Sequence, residues 1–292
     1  MKAKKTLVVT GVTGNVGKVV AEQLRAQGHQ VRGVSRSTGV SLEDLPALIK
    51  TCSGADAALL VIPPEIKARD LRKRQNEIGA KLLAAVKQTG IKRVVFLSSV
   101  NAQFPEGTGP ILGLHDMEER LNGLDIPELV HLRPAYFMEN HLRGIGIIAQ
   151  AGFYGTAFRP DAPLPMIAAC DIGAKAAELL LEEPFRQPRV RELLGPRDYT
   201  MLEAARILGS AIGNPGMNYA QFSYEDARKG MVGAGLSASY AEAIVEISRS
   251  FNEGKVHPTE KRSEQNTTPT TLEDFAQKIF RKQYEAVESK PT

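Results

Sequence analysis

Apolar positions in the first half of the chain follow two rhythms, short solid runs and stripes at helical spacing. Lys5 to Thr10 is a solid run and predicts a buried strand. Val16, Val19, Val20 and Leu24 then recur on one helical face until Gly28 stops the helix. The run from Gln30 to Ser35, with Val31 and Val34, closes a βαβ unit of about 30 residues. A second unit repeats the pattern. Ala57 to Ile62 is a strand stopped by Pro63 and Pro64, a helix from Ile66 to Thr89 packs through Ile78, Leu82 and Val86, and Gly90 precedes a strand at Arg93 to Leu97. A loop rich in glycine and proline, Phe104 to Pro110, leads to a helix at Leu112 to Leu121 and a strand at Leu129 to Leu132, closed by Pro134. Strands alternating with helices predict an α/β protein whose parallel sheet is wrapped on both faces.

Residues 36–56 break the rhythm. A complete half of such a sheet needs a crossover helix, an outer strand and another helix there. Ser41 to Thr51 supplies one helix, with Ser41 expected as N-cap and Glu43 and Asp44 in its first turn, and no room remains for the outer strand. The sheet is therefore expected to be truncated at its second strand, leaving that strand exposed or nearly so. Beyond Arg186 short helices dominate, at Met201 to Ile212, Tyr224 to Val232, Ser239 to Asn252 and Leu272 to Tyr284. The helix at Asp171 to Leu181 is expected still to pack on the sheet. The chain thus divides into a sheet domain, 1–185, and a smaller, mainly helical domain, 186–292, to which part of 134–165 contributes. Lys255 to Thr268 is polar enough for a loose linker, and Glu288 to Thr292 for a frayed end.

Composition narrows the classes. A chain of 292 residues with 42% hydrophobic content can bury a large core. Cys52 and Cys170 stand far apart, without metal-ligand or redox spacing, which argues against a disulfide framework or a cysteine metal site and for a cytoplasmic setting. The basic start, Met1 to Lys5, resembles a signal n-region, but the apolar run behind it breaks at Thr10 and Gly11. No stretch approaches the roughly 20 apolar residues of a membrane span, so no membrane association is expected. The net charge of +4 suits a phosphate-bearing ligand, while basic residues scattered among nearly as many acids do not indicate nucleic acid. Lys67, Arg69, Arg72, Lys73 and Arg74, interrupted by Asp70 and followed by Glu77, fit a solvated helix face. No HExxH motif, paired metal ligands or Ser-His-Asp arrangement stands out, so no metal is expected.

The strongest chemical signal is Thr10-Gly11-Val12-Thr13-Gly14-Asn15-Val16-Gly17, between an apolar strand and an amphipathic helix. Gly11 permits the tight turn, Gly14 lets the backbone approach a pyrophosphate, and Gly17 allows close packing of helix on strand. The helix N-terminus then offers free amides and a partial positive charge to the phosphates, with Thr13, Asn15 and Val16 around them. The bland alternative is a purely structural turn. The context favours a dinucleotide-binding Rossmann unit, and the shortened edge is then its adenine side. Cofactor choice is read about 20 residues further on, where an acid would bind the ribose 2′-hydroxyl of NAD and an arginine the 2′-phosphate of NADP. Val31-Arg32-Gly33-Val34-Ser35-Arg36 has no acid, so Arg36, assisted by Ser35, points to NADPH, with NAD less favoured. The alternative is a surface arginine on an exposed loop.

This turn, Asp56 to Pro64, Arg93 to Ser99 and Leu132 to Asn140 together resemble the NmrA-like family of atypical short-chain dehydrogenase/reductases. Leu194-Gly195-Pro196 and Thr271 to Phe275 extend the resemblance over nearly the whole chain. It implies NADP(H) or NAD(H) binding, and either reduction of an acceptor such as a quinone or redox sensing without clear catalysis. It places Ile62 and Pro63, and Ser98 and Ser99, at strand ends beside the cofactor, and Pro134, Tyr136 and Phe137 along the nicotinamide pocket. The bland readings are satisfied strand-end hydroxyls and ordinary core. His131 is expected to be structural.

Short-chain reductases usually carry Tyr and Lys four residues apart on the helix after the loop. Aligned through His115 to Leu121, the Lys position holds His115 and the Tyr position Ile111. Isoleucine cannot transfer a proton, and an ordinary ketone would need an acid there. A quinone, whose reduced oxyanion is delocalised, does not. His115 is the candidate catalytic residue, its pKa suited to proton exchange near neutrality; the alternative is a histidine hydrogen-bonded at a helix surface. The favoured expectation is NADPH-dependent reduction of a quinone-like small molecule. A regulator with a protein partner, or a scaffold with a decayed site, stands beside it.

Overall fold

A computed structural model of the chain describes residues 3–289. Its centre is a parallel sheet of strands β1 (Thr6–Thr10), β2 (Gln30–Val34), β3 (Ala57–Val61), β4 (Arg93–Leu97) and β5 (Glu128–Pro134). A further strand from late in the chain completes it. Between β5 and that strand lie three short ones, β6 (Tyr136–Phe137), β7 (Tyr154–Thr156) and β8 (Leu164–Ile167). The late strand is therefore β9 (Val190–Leu193), and the spatial order is β2-β1-β3-β4-β5-β9.

Leu7 and Val9 of β1 face one core while Val8, between them, faces another, and both sides are buried. This is why the central strands β1, β3 and β4 are solid apolar runs rather than alternating ones: where a parallel sheet is covered on both faces, few residues are left for water. One face carries helices α1 (Asn15–Ala26) and, later in the chain, the helix at Ala169–Leu181. The other carries α2 (Leu45–Cys52), α3 (Leu71–Thr89) and α4 (Leu112–Asn122). After α5 (Ile145–Ala151), the Ala169–Leu181 helix is α6; it packs on α1, and a Cβ on Gly173 would lie 2.7 Å from the Val19 side chain.

As the short 36–56 segment requires, β2 is the terminal strand, and no strand lies outside it among the described residues. Several details depart from expectation. The N-cap of α2 is Asp44, whose carboxylate accepts from the Ala47 amide at 3.0 Å; Pro46 in the first turn favours this start, and Ser41 serves an earlier turn. Helix α3 begins at Leu71 rather than Ile66, because Asp70 caps it and the preceding residues turn after Pro64. The expectation that short helices dominate beyond Arg186 passes over β9, whose Val-Arg-Glu-Leu lacks the apolar run of the central strands. Its Glu192 is nonetheless fully buried. The stretch expected to be a loose linker, Lys255 to Thr268, is what satisfies that carboxylate. The Thr259 amide and hydroxyl and the Glu260 amide donate to Glu192 at 2.8–3.1 Å. Of the end expected to fray, Glu288 closes the last helix, and 290–292 lie outside the described residues.

A second layer covers the C-terminal edge of the sheet. It comprises a small sheet ordered β10-β8-β6, with β10 at Asp198–Tyr199, and a ribbon pairing β7 with β11 (Tyr219–Gln221). Helices α7 (Met201–Ala211), α8 (Tyr224–Gly233) and α9 (Ala238–Asn252) accompany them. A final helical stretch, Leu272 to Glu288, carries a π-helical segment at Ala276–Phe280. Its own core includes Met138, Tyr154, Met166, Tyr199, Leu208 and Phe275. No helix among the described residues is long and apolar enough to cross a membrane.

Candidate functional site

The glycine turn is locked before it reaches the helix. Thr10, at the end of β1, accepts from the Val61 amide at 2.6 Å and donates to its carbonyl at 3.3 Å, fixing the turn to β3. Gly11 then adopts φ +64°, a left-handed conformation that glycine takes without strain, and its amide donates to the Val34 carbonyl at 2.9 Å. The turn is thereby tied to the end of β2 as well. Gly14 is the N-cap of α1, with extended backbone and no side-chain cap, and the first turn holds no acid. Thr13, Gly14 and Asn15 are exposed, so the helix mouth is open to solvent. A Cβ on Gly17 would collide with the Gly11 carbonyl, so the turn and helix can approach only without one. Gly33 does the same from β2, where a Cβ would come within 2.7 Å of Val12. That glycine carries no weight in the motif, although a lone glycine inside a strand marks close backbone approach. Uncapped amides, missing side chains and no competing acid fit a diphosphate.

At the end of β2 the two arginines behave differently. Arg32 donates to the Thr51 carbonyl at 3.0 Å and the Ser53 carbonyl at 2.6 Å, closing the C-terminus of α2. Arg36 is exposed and makes no ion pair among the described residues, while Glu43 and Glu65 pair with Arg74 and Glu43 also with Lys81. Ser35 caps the short turn Arg36–Thr38 and contacts Ser37 at 2.9 Å, so its hydroxyl is locally engaged.

Along the C-terminal edge the expected residues separate. Ile62 is buried in the core beneath the sheet, with Pro63 half-buried after it. Ser98 is buried, and its hydroxyl donates to Glu118, which is held in turn by Arg133 through Nε at 2.9 Å and through Nη2. Pro134 is buried, its carbonyl accepting from the Val100 amide at 3.0 Å. Ser99, Tyr136 and Phe137 instead line a cavity of about 1320 Å³ between the sheet edge and the second layer. Ile111 lines it as well. His115 does not; its Nδ1 faces the Ala102 carbonyl at 2.8 Å and so carries the proton, since a carbonyl only accepts.

The cavity wall is mostly aromatic and apolar, with Tyr136, Phe158, Phe222 and Phe251 around it. Behind Tyr136 lies a buried pair, the Tyr154 hydroxyl 2.7 Å from His141 Nδ1, with the Tyr136 and His141 rings 5.5 Å apart. Burial pushes the Tyr136 and Tyr154 phenols up and His141 down to about 3, so all three are neutral at pH 7. Arg143 reaches the wall from the segment before α5 and donates to the Tyr240 hydroxyl at 2.6 Å. Asn101, also on the wall, holds a left-handed φ of +77°, and its Oδ1 has no partner. Sequence reasoning missed His141, Arg143, Tyr154, Tyr240 and Asn101, which come from segments without a motif or an informative period. Among the described residues no cluster of potential metal ligands forms.

An open Rossmann-type sheet, with its glycine turn and a roomy cavity both at the C-terminal edge, defines a nucleotide-binding α/β class. The NmrA-like family profile matches residues 3–276, and the chain belongs to that family. It is 28% identical over 290 residues to an uncharacterized oxidoreductase, YesF, of Bacillus subtilis, covering 94% of this chain and 96% of that one. It is 26% identical over 260 residues to the NAD(P)H azoreductase of Xenophilus azovorans, covering 82% and 85%. The crystal structure of an NADPH-dependent quinone oxidoreductase from Escherichia coli, complexed with NADPH, has the same fold. Its TM-score is 0.73 at 21% identity, with 94% of this chain and 99% of that one covered.

Proposed function

We propose that the protein is an NAD(P)H-dependent oxidoreductase, with NADPH the preferred cofactor and a quinone or a similarly activated conjugated molecule the acceptor. The observation that carries this is the pairing of an uncapped, acid-free helix mouth with an aromatic cavity at the same sheet edge. The azoreductase and oxidoreductase relatives support the reaction class, and the glycine turn supports the cofactor class.

In this reading the amides from Gly11 to Gly17 bind the pyrophosphate and the Arg36 guanidinium binds the 2′-phosphate. When bound, the cofactor supplies a hydride. Ser99, Tyr136 and Phe137 orient the reacting rings, and the aromatic wall excludes water. Tyr136 holds a neutral phenol at the wall as a hydrogen-bond donor. Ile111 and the placement of His115 leave no strong acid beside the acceptor, which suits a molecule whose reduced form spreads its charge. The domain division and a substrate side formed by the second layer belong to the same proposal.

Purified protein, NADPH and a panel of quinones and azo compounds test it. Oxidation of NADPH at enzyme-like rates is expected, and Arg36→Ala should weaken NADPH far more than NADH. Equal losses for both cofactors would remove the NADP assignment. The missing acid at Ile111 favours a second reading, a redox sensor. No turnover, together with a tenfold difference (about 1.4 kcal/mol) between NADPH and NADP⁺ affinity, would establish that one instead. No calorimetric heat with either nucleotide would defeat both.

A further inference from the structure

We infer that the cavity selects acceptors bearing an acidic substituent, a carboxylate or sulfonate, on their conjugated rings, and that Arg143 receives that group. The inference rests on the reductase reading and adds the substrate class to it.

Arg262, Asp198 and Glu260 on the wall have charged internal partners. Arg262 pairs with Asp198 and donates to the Leu194 and Gly195 carbonyls, and Glu260 takes Asn266 at 3.4 Å and Arg191 at 3.9 Å. Asp226 accepts from the Ser223 hydroxyl at 2.6 Å on the exposed start of α8. Arg143 has no carboxylate partner among the described residues. Its one polar contact is the Tyr240 hydroxyl, and its Cζ stands 5.7 Å from the centroid of the same ring.

An unpaired arginine on an open surface is normally just hydrated. Arg143 is itself exposed at the cavity rim, and what distinguishes it is that Tyr240, only 3% exposed, holds its guanidinium there through hydroxyl and ring. Its charge also bears on the Tyr136 phenol, inside the same cavity. A guanidinium has five N–H donors in a planar fork, and Tyr240 takes one. The remaining donors match a two-oxygen anion, and ordering by Tyr240 lowers the conformational entropy that such a contact would otherwise cost. A neutral acceptor leaves the guanidinium hydrated and gains nothing from it. An anionic one gains charge-assisted hydrogen bonds, stronger than neutral ones.

The test compares a neutral acceptor, 1,4-naphthoquinone, with 1,4-naphthoquinone-2-sulfonate, in wild type and in Arg143→Gln, Arg143→Lys and Tyr240→Phe. Arg143→Gln should raise KM for the sulfonate about tenfold, with little change in kcat, and leave the neutral acceptor within twofold. Arg143→Lys should lose less than Arg143→Gln, and Tyr240→Phe about threefold. Equal effects of Arg143→Gln on both acceptors, or none on either, would overturn the inference. A binding arm separates this from the reductase reading. Calorimetry of NADP⁺-loaded protein with the unreactive pair 2-naphthalenesulfonate and 2-naphthalenemethanol should favour the sulfonate about tenfold, and Arg143→Gln should abolish the preference. Such a preference without NADPH oxidation would retire the reductase reading and keep the anion site. Turnover without any preference would do the reverse.

Discussion

Gly17 is buried where the turn and the first helix meet, and the atom a side chain would strike is backbone, the Gly11 carbonyl. A flexible neighbour could rotate away, but a carbonyl fixed by the Gly11 and Gly14 turn cannot. Gly17→Ala should therefore destabilise the protein by about 1–3 kcal/mol and open the helix mouth. Denaturant unfolding and nucleotide calorimetry on the same variant check both effects, and full stability with full affinity would contradict the account. His141 makes a different claim. Its imidazole is fully buried against Tyr154 and Met166 and titrates at about 3 in the folded chain, against about 6.5 when unfolded. The folded state thus refuses a proton that the unfolded chain accepts. Stability from this source is complete above pH 6.5 and falls as pH drops toward 3, by up to about 1.4 kcal/mol per pH unit. His131, held down to about 4 by burial, adds a second proton to the slope. Urea unfolding between pH 6.5 and 5 should show His141→Gln losing about half of this histidine-dependent slope, whatever its stability at neutrality.

Among the elements, the buried Ser98–Glu118–Arg133 network joins the end of β4, the middle of α4 and β5. Removing one partner of a buried ion pair leaves a charge without compensation, which costs about 3–5 kcal/mol. Arg133→Leu should lose that much in denaturant unfolding, and the double variant Arg133→Leu/Glu118→Leu should recover part of it. A single variant within about 1 kcal/mol of wild type would show the network to be solvated. The network also explains what could and could not be read in advance. Ser98 looks like a ligand residue because it ends a central strand, and only its buried neighbour Glu118, 20 positions later, shows where its hydroxyl goes. Strands β1, β3 and β4 were legible because burial on both faces writes itself as solid apolar runs, and the half-exposed terminal strand β2 through its place behind the glycine turn and the first helix. Strand β9 was not, because its Glu192 is satisfied by residues 259 and 260, a compensation that lies far away in sequence. The glycine turn was legible through spacing. Of the cavity only Ser99, Tyr136 and Phe137 were legible, through the family resemblance, since Arg143, Tyr154 and Tyr240 join them only after the second layer folds over the sheet.

Across the whole molecule, the cavity separates elements of very different anchorage. Helices α1 and α6 bury Val16, Val20, Leu24, Ile172 and Leu179 in the sheet core, whereas α8 has no buried residue at all. Helix α8 nevertheless supplies Ala227, Gly230 and Met231 to the cavity wall, and its main helical neighbour is α9. Local opening is easiest where few apolar contacts must break, so α8 should exchange its amides faster than α1 or α6. A ligand filling the cavity adds contacts that exist only while α8 is closed, and it stabilises that state in proportion to occupancy, by about 2.7 kcal/mol at a hundred times Kd. Hydrogen exchange followed by mass spectrometry should therefore show residues 224–233 slowing by up to about a hundredfold on addition of a cavity ligand. Nucleotide alone should act first on the turn around Gly14. Protection of α8 by nucleotide alone, or none with a saturating cavity ligand, would mean that this helix is fixed by the fold and takes no part in enclosing the substrate.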